Sequence, residues 1–141
     1  MCKNKMNLKF LSLSENESFA RLAVASFCAN LNLSIDDISD IKTAVSEAVT
    51  NCVVHAYIDK SGEIEINCEI YDNYIKIEVI DYGVGIDSVD EAIKPFYTSK
   101  PEMERSGMGF TVMEGFMDKM EVFSKKGEGT RVVLIKNYIE N

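Results

Sequence analysis

Hydrophobic and polar positions divide the chain into short periodic runs. Residues 7–13 alternate enough to predict a first strand. Ser14 followed three positions later by Glu17 reads as a capping box, opening a helix to about Leu31 with an apolar stripe of Phe19, Leu22, Ala23, Phe27 and Leu31. Asn32 is a plausible stop. A second box, Ser34 with Asp37, predicts a helix to about Ala56, with Ile38, Ile41, Val45, Ala48 and Cys52 inward. After the Ser61-Gly62 break, Ile64, Ile66, Cys68 and Ile70 alternate strictly with Glu63, Glu65, Asn67 and Glu69, as in a half-buried strand. Asp72-Asn73 turns the chain, and Tyr74–Ile80 returns as the second arm of a hairpin.

Residues 87–106 are polar and contain both prolines, Pro95 and Pro101, which predicts a long mobile loop of the kind that is usually functional. Gly107-Met-Gly109 opens a third helix with Phe110, Met113, Phe116, Met117 and Met120 inward. Strands at 120–125 and 130–136 close the fold around Gly127-Glu-Gly129. The order β-α-α-β-β-loop-α-β-β implies one α+β domain over 1–141. It is a two-layer α/β sandwich, with a mixed, mostly antiparallel sheet covered on one face by three helices.

Composition narrows the chemistry. A net charge of −8 argues against general binding to nucleic acid or an anionic membrane, since both need a basic surface. Cys2, Cys28, Cys52 and Cys68 form no C-x-x-C pair and have one histidine to help them, so a zinc site is not expected. Three of them sit among apolar residues, as small buried hydrophobes and reduced thiols of a cytoplasmic protein. No signal peptide or membrane-spanning run is expected.

Three motifs carry candidate chemistry. Glu47 and Asn51 lie four apart, so both project from one helix face; a carboxylate beside an amide oxygen suits a general base plus a hard cation. On its own the pair is also compatible with a solvated helix side. Asp81-Tyr-Gly-Val-Gly85 follows an apolar strand: a carboxylate there can accept from an exocyclic amine, and Gly83 and Gly85 admit a flat ligand close to backbone. The plain alternative is an ordinary turn. Arg105-Ser-Gly-Met-Gly-Phe110 feeds a helix N-terminus whose free N–H groups suit phosphate, and Arg105 adds positive charge. Gly127-Glu-Gly129-Thr130 needs no function as a hairpin turn, although Thr130 can reach a ligand base.

Order and spacing make these weak signals strong together. The series resembles the Bergerat-type ATP-binding fold of gyrase-type topoisomerases, ninety-kilodalton heat-shock chaperones and histidine kinases. Within that family, Val45-Ser-Glu-Ala-Val-Thr-Asn51, Lys100–Thr111 and Met113-Glu-Gly-Phe-Met-Asp118 look very like the sporulation anti-sigma F factors, which are serine kinases. The similarity extends over nearly the whole chain, including Phe19-Ala-Arg-Leu-Ala-Val-Ala25.

The resemblance implies ATP and Mg2+ as ligands, with Glu47 as general base, Asn51 on magnesium and Asp81 on the adenine amine. Gly83, Gly85 and Ile86 would line base and sugar, and Thr130 would touch the adenine end. Residues 87–106 would form an ATP lid, with Thr98, Ser99, Lys100 and Arg105 near the phosphates and Gly107, Met108, Gly109 and Phe110 offering backbone donors. His55 falls in the nucleotide-binding set by position, but capping or packing at the helix end suits it better than catalysis. Ala56 stands where many relatives have glycine, so the helix end is expected to bend differently. The implied partners are sigma F, an anti-anti-sigma protein phosphorylated on serine, and a second copy of the chain. Arg21 would meet the protein partners, its plain alternative being an exposed helix charge. Three alternatives stay open: a stress-response anti-sigma kinase, a detached histidine-kinase ATP domain, and a non-catalytic module that uses ATP as a structural ligand.

Overall fold

The structure, a computed structural model, describes residues 1–93 and 109–139. Five strands form one sheet: β1 (Asn4–Leu11), β2 (Glu63–Ile70), β3 (Tyr74–Asp81), β4 (Lys119–Lys125) and β5 (Gly129–Asn137). Their order is β1-β2-β3-β5-β4, and every pairing is antiparallel, so the sheet is not mixed. The helices are α1 (Asn16–Cys28), α2 (Ile35–Asn51), α3 (Val89–Ile93) and α4 (Gly109–Phe116). α2 continues as a π-helical turn over Cys52–Ala56.

Alternation sets the two faces of the sheet. Ile64, Ile66 and Cys68 of β2 and Ile75, Ile77 and Val79 of β3 are buried beneath the helices, together with Val132 and Leu134 of β5. α1, α2 and α4 supply Val24, Ile41, Val45, Val49 and Met113 from above. Each fully buried aliphatic side chain contributes about 1.5–3 kcal/mol. On the other face polar pairs cross the strands: Asn7 donates to Glu65 (2.7 Å) and Asn67 (2.6 Å), and Arg131 pairs with Glu78 (2.6 Å).

α1 departs from expectation in two ways. Its buried stripe is Ala20, Val24 and Cys28, while Phe19 and Leu22 are about half exposed. Small residues at i, i+4 and i+8 let α1 pack closely on α2, and the bulky neighbours rotate outward. Phe19 instead meets Phe10 edge-on, with ring centroids 6.3 Å apart. The Ser14 capping box does not form. The cap residue is Glu15, no side chain caps the helix, and Ser14 contributes only its carbonyl, to Glu17 N–H (3.2 Å). The helix also ends at Cys28, three residues before Leu31.

The Ser34 box forms as expected. Ser34 Oγ accepts from Asp37 N–H (3.0 Å), and Asp37 returns the bond to Ser34 N–H (3.4 Å). The start of α2 also anchors β5. Lys136, 7% exposed, donates to Asp40 (3.3 Å) and to the Phe116 carbonyl (2.7 Å), with Asp37 at 3.8 Å. Phe116 itself is exposed rather than inward. The start of the expected loop is helical: Ser88 Oγ accepts from Glu91 N–H (3.3 Å), which opens α3.

Two serines with the same sequence signature thus differ in structure. Ser34→Ala should cost about 1 kcal/mol. Ser14→Ala, with no cap bond to lose, should stay within about 0.5 kcal/mol of wild type. Urea titrations measure both, and equal losses would contradict the assignment of the caps.

Candidate functional site

The site grows from the C-terminal end of α2. Glu47 and Asn51 are half-buried one turn apart on the helix, and α4 begins directly opposite them. A Cβ placed on Gly109 would stand 3.2 Å from Asn51 Oδ1 and 3.3 Å from Glu47 Oε2. Two oxygens of different type therefore converge on the space that glycine leaves open. A carboxylate facing the first turn of a helix is also favoured by the helix dipole. Among the described residues no three His, Cys, Asp or Glu side chains cluster as a metal cage. The arrangement fits magnesium nonetheless: this ion takes one or two protein oxygens and completes its shell from water and phosphate. Asn51 Oδ1 is the hard donor available for it.

The second part of the site lies at the end of β3. Asp81 is 5% exposed, and its Oδ1 accepts from Gly83 N–H (3.0 Å) and Thr130 N–H (3.2 Å). Burial pushes the Asp81 carboxyl above its ordinary range, and the Gly83 and Thr130 N–H groups, with the neighbouring Cys52 thiol, partly restore it. Burial, with the adjacent carboxylate, also pushes the Cys52 thiol well up.

Close backbone approach explains the glycines. A Cβ on Gly83 would lie 1.9 Å from the Ala56 carbonyl oxygen, which accepts from Val84 N–H at 2.8 Å. Gly85 has φ +76°, and a Cβ there would meet the Lys125 carbonyl at 2.2 Å. The loop after β3 is thus pinned to the π-helical turn on one side and to the β4–β5 hairpin on the other. Ser124 completes the second attachment: its Oγ receives Ile86 N–H (2.7 Å), donates to the Gly129 carbonyl (3.0 Å) and lies 2.8 Å from Thr130 Oγ1. Tyr57 completes the first, accepting from Tyr82 N–H (2.9 Å) and donating to the Glu63 carbonyl. A cavity of about 320 Å3 beside this corner is lined by Asp81, Ser124 and Thr130 together with Tyr82, Phe123 and Arg131.

The sequence-derived residues therefore fall into groups. Glu47, Asn51 and Gly109 come together, as do Asp81, Gly83 and Thr130, while Gly85 and Ile86 join the β4–β5 hairpin. Phe110 packs half-buried against the core, and His55 lies half-buried in the π-helical turn. Arg21 is bound within α1, pairing with Glu17 (3.8 Å) and donating to Ser18 (3.2 Å), and its Nε is buried without a hydrogen-bond partner. Thr98, Ser99, Lys100, Arg105, Gly107 and Met108 lie outside the described residues. Sequence reasoning missed two contributors. Ser124 was detectable only by pairing the hairpin so that it opposes Thr130. Tyr57 acts through contacts distant in sequence.

Asp81→Asn removes a desolvated charge yet keeps an oxygen for both N–H donors. The variant should match or exceed wild-type thermal stability at pH 7. The sign follows from the raised carboxyl: the folded state binds the proton more tightly than the unfolded chain, whose carboxyl titrates near 3.8. Wild type should therefore gain on the variant as pH falls from neutral through the raised folded value toward 3.8. Melting curves of both proteins across that range test this, and a wild-type advantage that shrinks with acid would contradict it.

Comparison with known proteins agrees with this fold. A family model described as the histidine kinase-like ATPase domain matches residues 10–136. An anti-sigma F factor from Clostridium beijerinckii is 55% identical over 139 residues, covering 98% of this chain and 97% of that protein. Another, from Caldanaerobacter subterraneus subsp. tengcongensis, is 59% identical over 133 residues, covering 94% of this chain and 93% of that protein. The crystal structure of the RsbU and RsbW domains of Rv1364c from Mycobacterium tuberculosis superposes over 98% of the chain with a TM-score of 0.69. At 18% identity it shows the shared fold, and this chain spans 33% of it. Among the described residues no helix is long and apolar enough to cross a membrane. By motif order, by fold and by full-length similarity, the chain belongs to the histidine kinase-like ATPase domain family and, within it, to the anti-sigma F factors.

Proposed function

We propose that this chain is an ATP-dependent anti-sigma factor and protein-serine kinase. In this reading it holds sigma F as a homodimer and phosphorylates a serine on an anti-anti-sigma partner. The observation that carries the reading is the convergence of Glu47 Oε2 and Asn51 Oδ1 on the open face of Gly109. That convergence sets a base and a metal donor at the mouth of a helix N-terminus. Family membership supports nucleotide as the ligand, and the names of the relatives support the sigma-factor partner.

In the proposed reaction Asp81 accepts the adenine amine, with Thr130, Gly83, Gly85 and Ile86 around the base and sugar. Magnesium, when bound at Asn51, offsets phosphate charge. Glu47 accepts the proton of the partner's serine hydroxyl. The serine oxygen forms its bond to the γ-phosphorus, and the bond from that phosphorus to the β–γ bridging oxygen breaks. ADP leaves with that electron pair. Positioning and electrostatics supply the acceleration, and no covalent enzyme intermediate is required. Arg21 is proposed as a contact to the protein partners. Its guanidinium contacts Glu17 and Ser18 one turn back on α1 and stays about one-third exposed, within reach of a partner.

The test mixes the protein with ATP, magnesium and the candidate anti-anti-sigma protein and follows phosphoserine by mass spectrometry. Glu47→Ala should lower phosphotransfer by about 100-fold or more, as expected for loss of a general base, with ATP still bound. Phosphotransfer at the wild-type rate would remove Glu47 from that role. Asn51→Ala should weaken the magnesium dependence of nucleotide binding in isothermal titration. An unchanged magnesium response would exclude it as the ligand, and absence of any ATP or ADP binding by wild type would overturn the function itself.

A further inference from the structure

Lys136 is a buried cation that belongs to neither group of site residues. Its ammonium donates to the Phe116 carbonyl (2.7 Å) and to Asp40 (3.3 Å), with Asp37 at 3.8 Å. An ammonium has three donors and no acceptor, and this one spends them on two helices at once. Phe116 is the last residue of α4, so its carbonyl is among those a helix end leaves without an intrahelical partner. Asp37 and Asp40 lie at the start of α2. The chain after α4 is fastened to β5 on both sides of Lys136: Asp118 N–H donates to the Ile135 carbonyl (2.9 Å), and the Asp118 carboxylate accepts from Asn137 N–H (2.7 Å).

The spacing of these contacts matches that of the site. α2 and α4 pack against each other. Asp40 and Glu47 are seven residues apart on α2, and Gly109 and Phe116 are seven apart on α4. Seven residues make about two turns, or about 10.5 Å. The two helices are therefore tied in step at two levels. Lys136 joins Asp40 to Phe116 at one level, and Gly109 faces Glu47 and Asn51 at the other. α4 has only eight residues, and Gly115, a poor helix former, sits in its last turn. Met113 buries the middle of α4, but apolar contact is non-directional and fixes position along the axis only loosely. The hydrogen bond to Phe116 is directional.

We propose that Lys136 is a positioning residue for phosphoryl transfer, pinning α4 along α2 so that Gly109 stays opposite Glu47 and Asn51. The proposal rests on the function given above, in which Glu47 is the base and Asn51 the metal donor. It adds that their geometry is set by a buried lysine about two helical turns away. Lys136 touches no reacting atom. Asp81, Gly83 and Thr130 lie outside the α2–α4 pair, and Thr130 is at the opposite end of β5. The effect of Lys136 therefore belongs in the transfer step rather than in adenine recognition.

The experiment compares wild type with Lys136→Met and with the double variant Lys136→Met, Asp40→Leu. The double variant also removes the carboxylate that the single change strands, so it keeps the fold while losing the tie to Phe116. Ile66→Val, a truncation in the core of β2, is the control for general loss of stability. Urea titrations set a temperature at which every protein is folded. Phosphorylation of the anti-anti-sigma protein is then followed at saturating ATP, magnesium and partner, and adenosine affinity is read by NMR titration. Turnover should fall about tenfold or more in both Lys136 variants, the scale expected when reacting groups shift by a fraction of an ångström. Adenosine affinity should stay within about twofold of wild type, as for a distant, independent site. If Lys136→Met does not fold, the double variant decides. A double variant with wild-type turnover, an equal drop in Ile66→Val, or a tenfold loss of adenosine binding would each overturn the proposal. If wild type itself transfers no phosphate, the function proposed above falls and this inference with it. If wild type transfers phosphate and the double variant keeps pace, only the role of Lys136 falls.

Discussion

A carboxylate taken out of water at the end of a strand is the constraint around which this molecule is organised. Asp81 is nearly fully buried, and its backbone donors come from two places: the loop after β3 and the start of β5. A buried charge without partners is costly, so each donor must be held where it is. The surrounding glycines follow from this. Gly83 lets the loop reach the Ala56 carbonyl, and Gly129, at φ +100°, brings the hairpin against the Asp81 backbone. The Tyr57 and Ser124 hydroxyls then tie the same loop to β2 and to the hairpin.

α2 links this corner to the rest of the domain. Its first two turns hold Lys136 of β5 through Asp37 and Asp40, its middle fills the core with Ile41, Val45 and Val49, and its end presents Glu47 and Asn51. Structure and chemistry thus share one helix. The apolar face fixes its rotation on the sheet, and that rotation brings the polar positions to α4. A slip of one residue would turn the helix by about 100° and remove both oxygens from Gly109. Breaking the buried Lys136 cluster would therefore be felt at the site as well as in the core.

Much of the fold was legible because its signals are local. Strict alternation over Glu63–Ile70 requires one buried face whatever the rest of the chain does. The Ser34–Asp37 box is a four-residue interaction, and it forms as read. Failures occurred where a local signal competed with packing. Ser14 and Glu17 have the letters of a box, but the chain enters α1 one residue later, with Glu15 as the cap residue and already helical. The stripe of α1 was placed on its largest residues, whereas close approach to α2 selects its smallest, Ala20, Val24 and Cys28.

The site divides along the same line. By itself the sequence determined which groups are available and in what order: a carboxylate and an amide one helical turn apart, an aspartate closing an apolar strand, and glycines where backbone must pass. These depend on spacings of four residues or fewer. Tertiary structure alone decided what those groups face. It set Gly109 against Glu47 and Asn51, brought Thr130 to the Asp81 carboxylate, and joined Ser124 to Ile86 across 38 residues. The physical reason is that hydrogen bonding to a buried charge is decided by which elements pack together. Packing is a property of the whole core, which no short window of sequence contains.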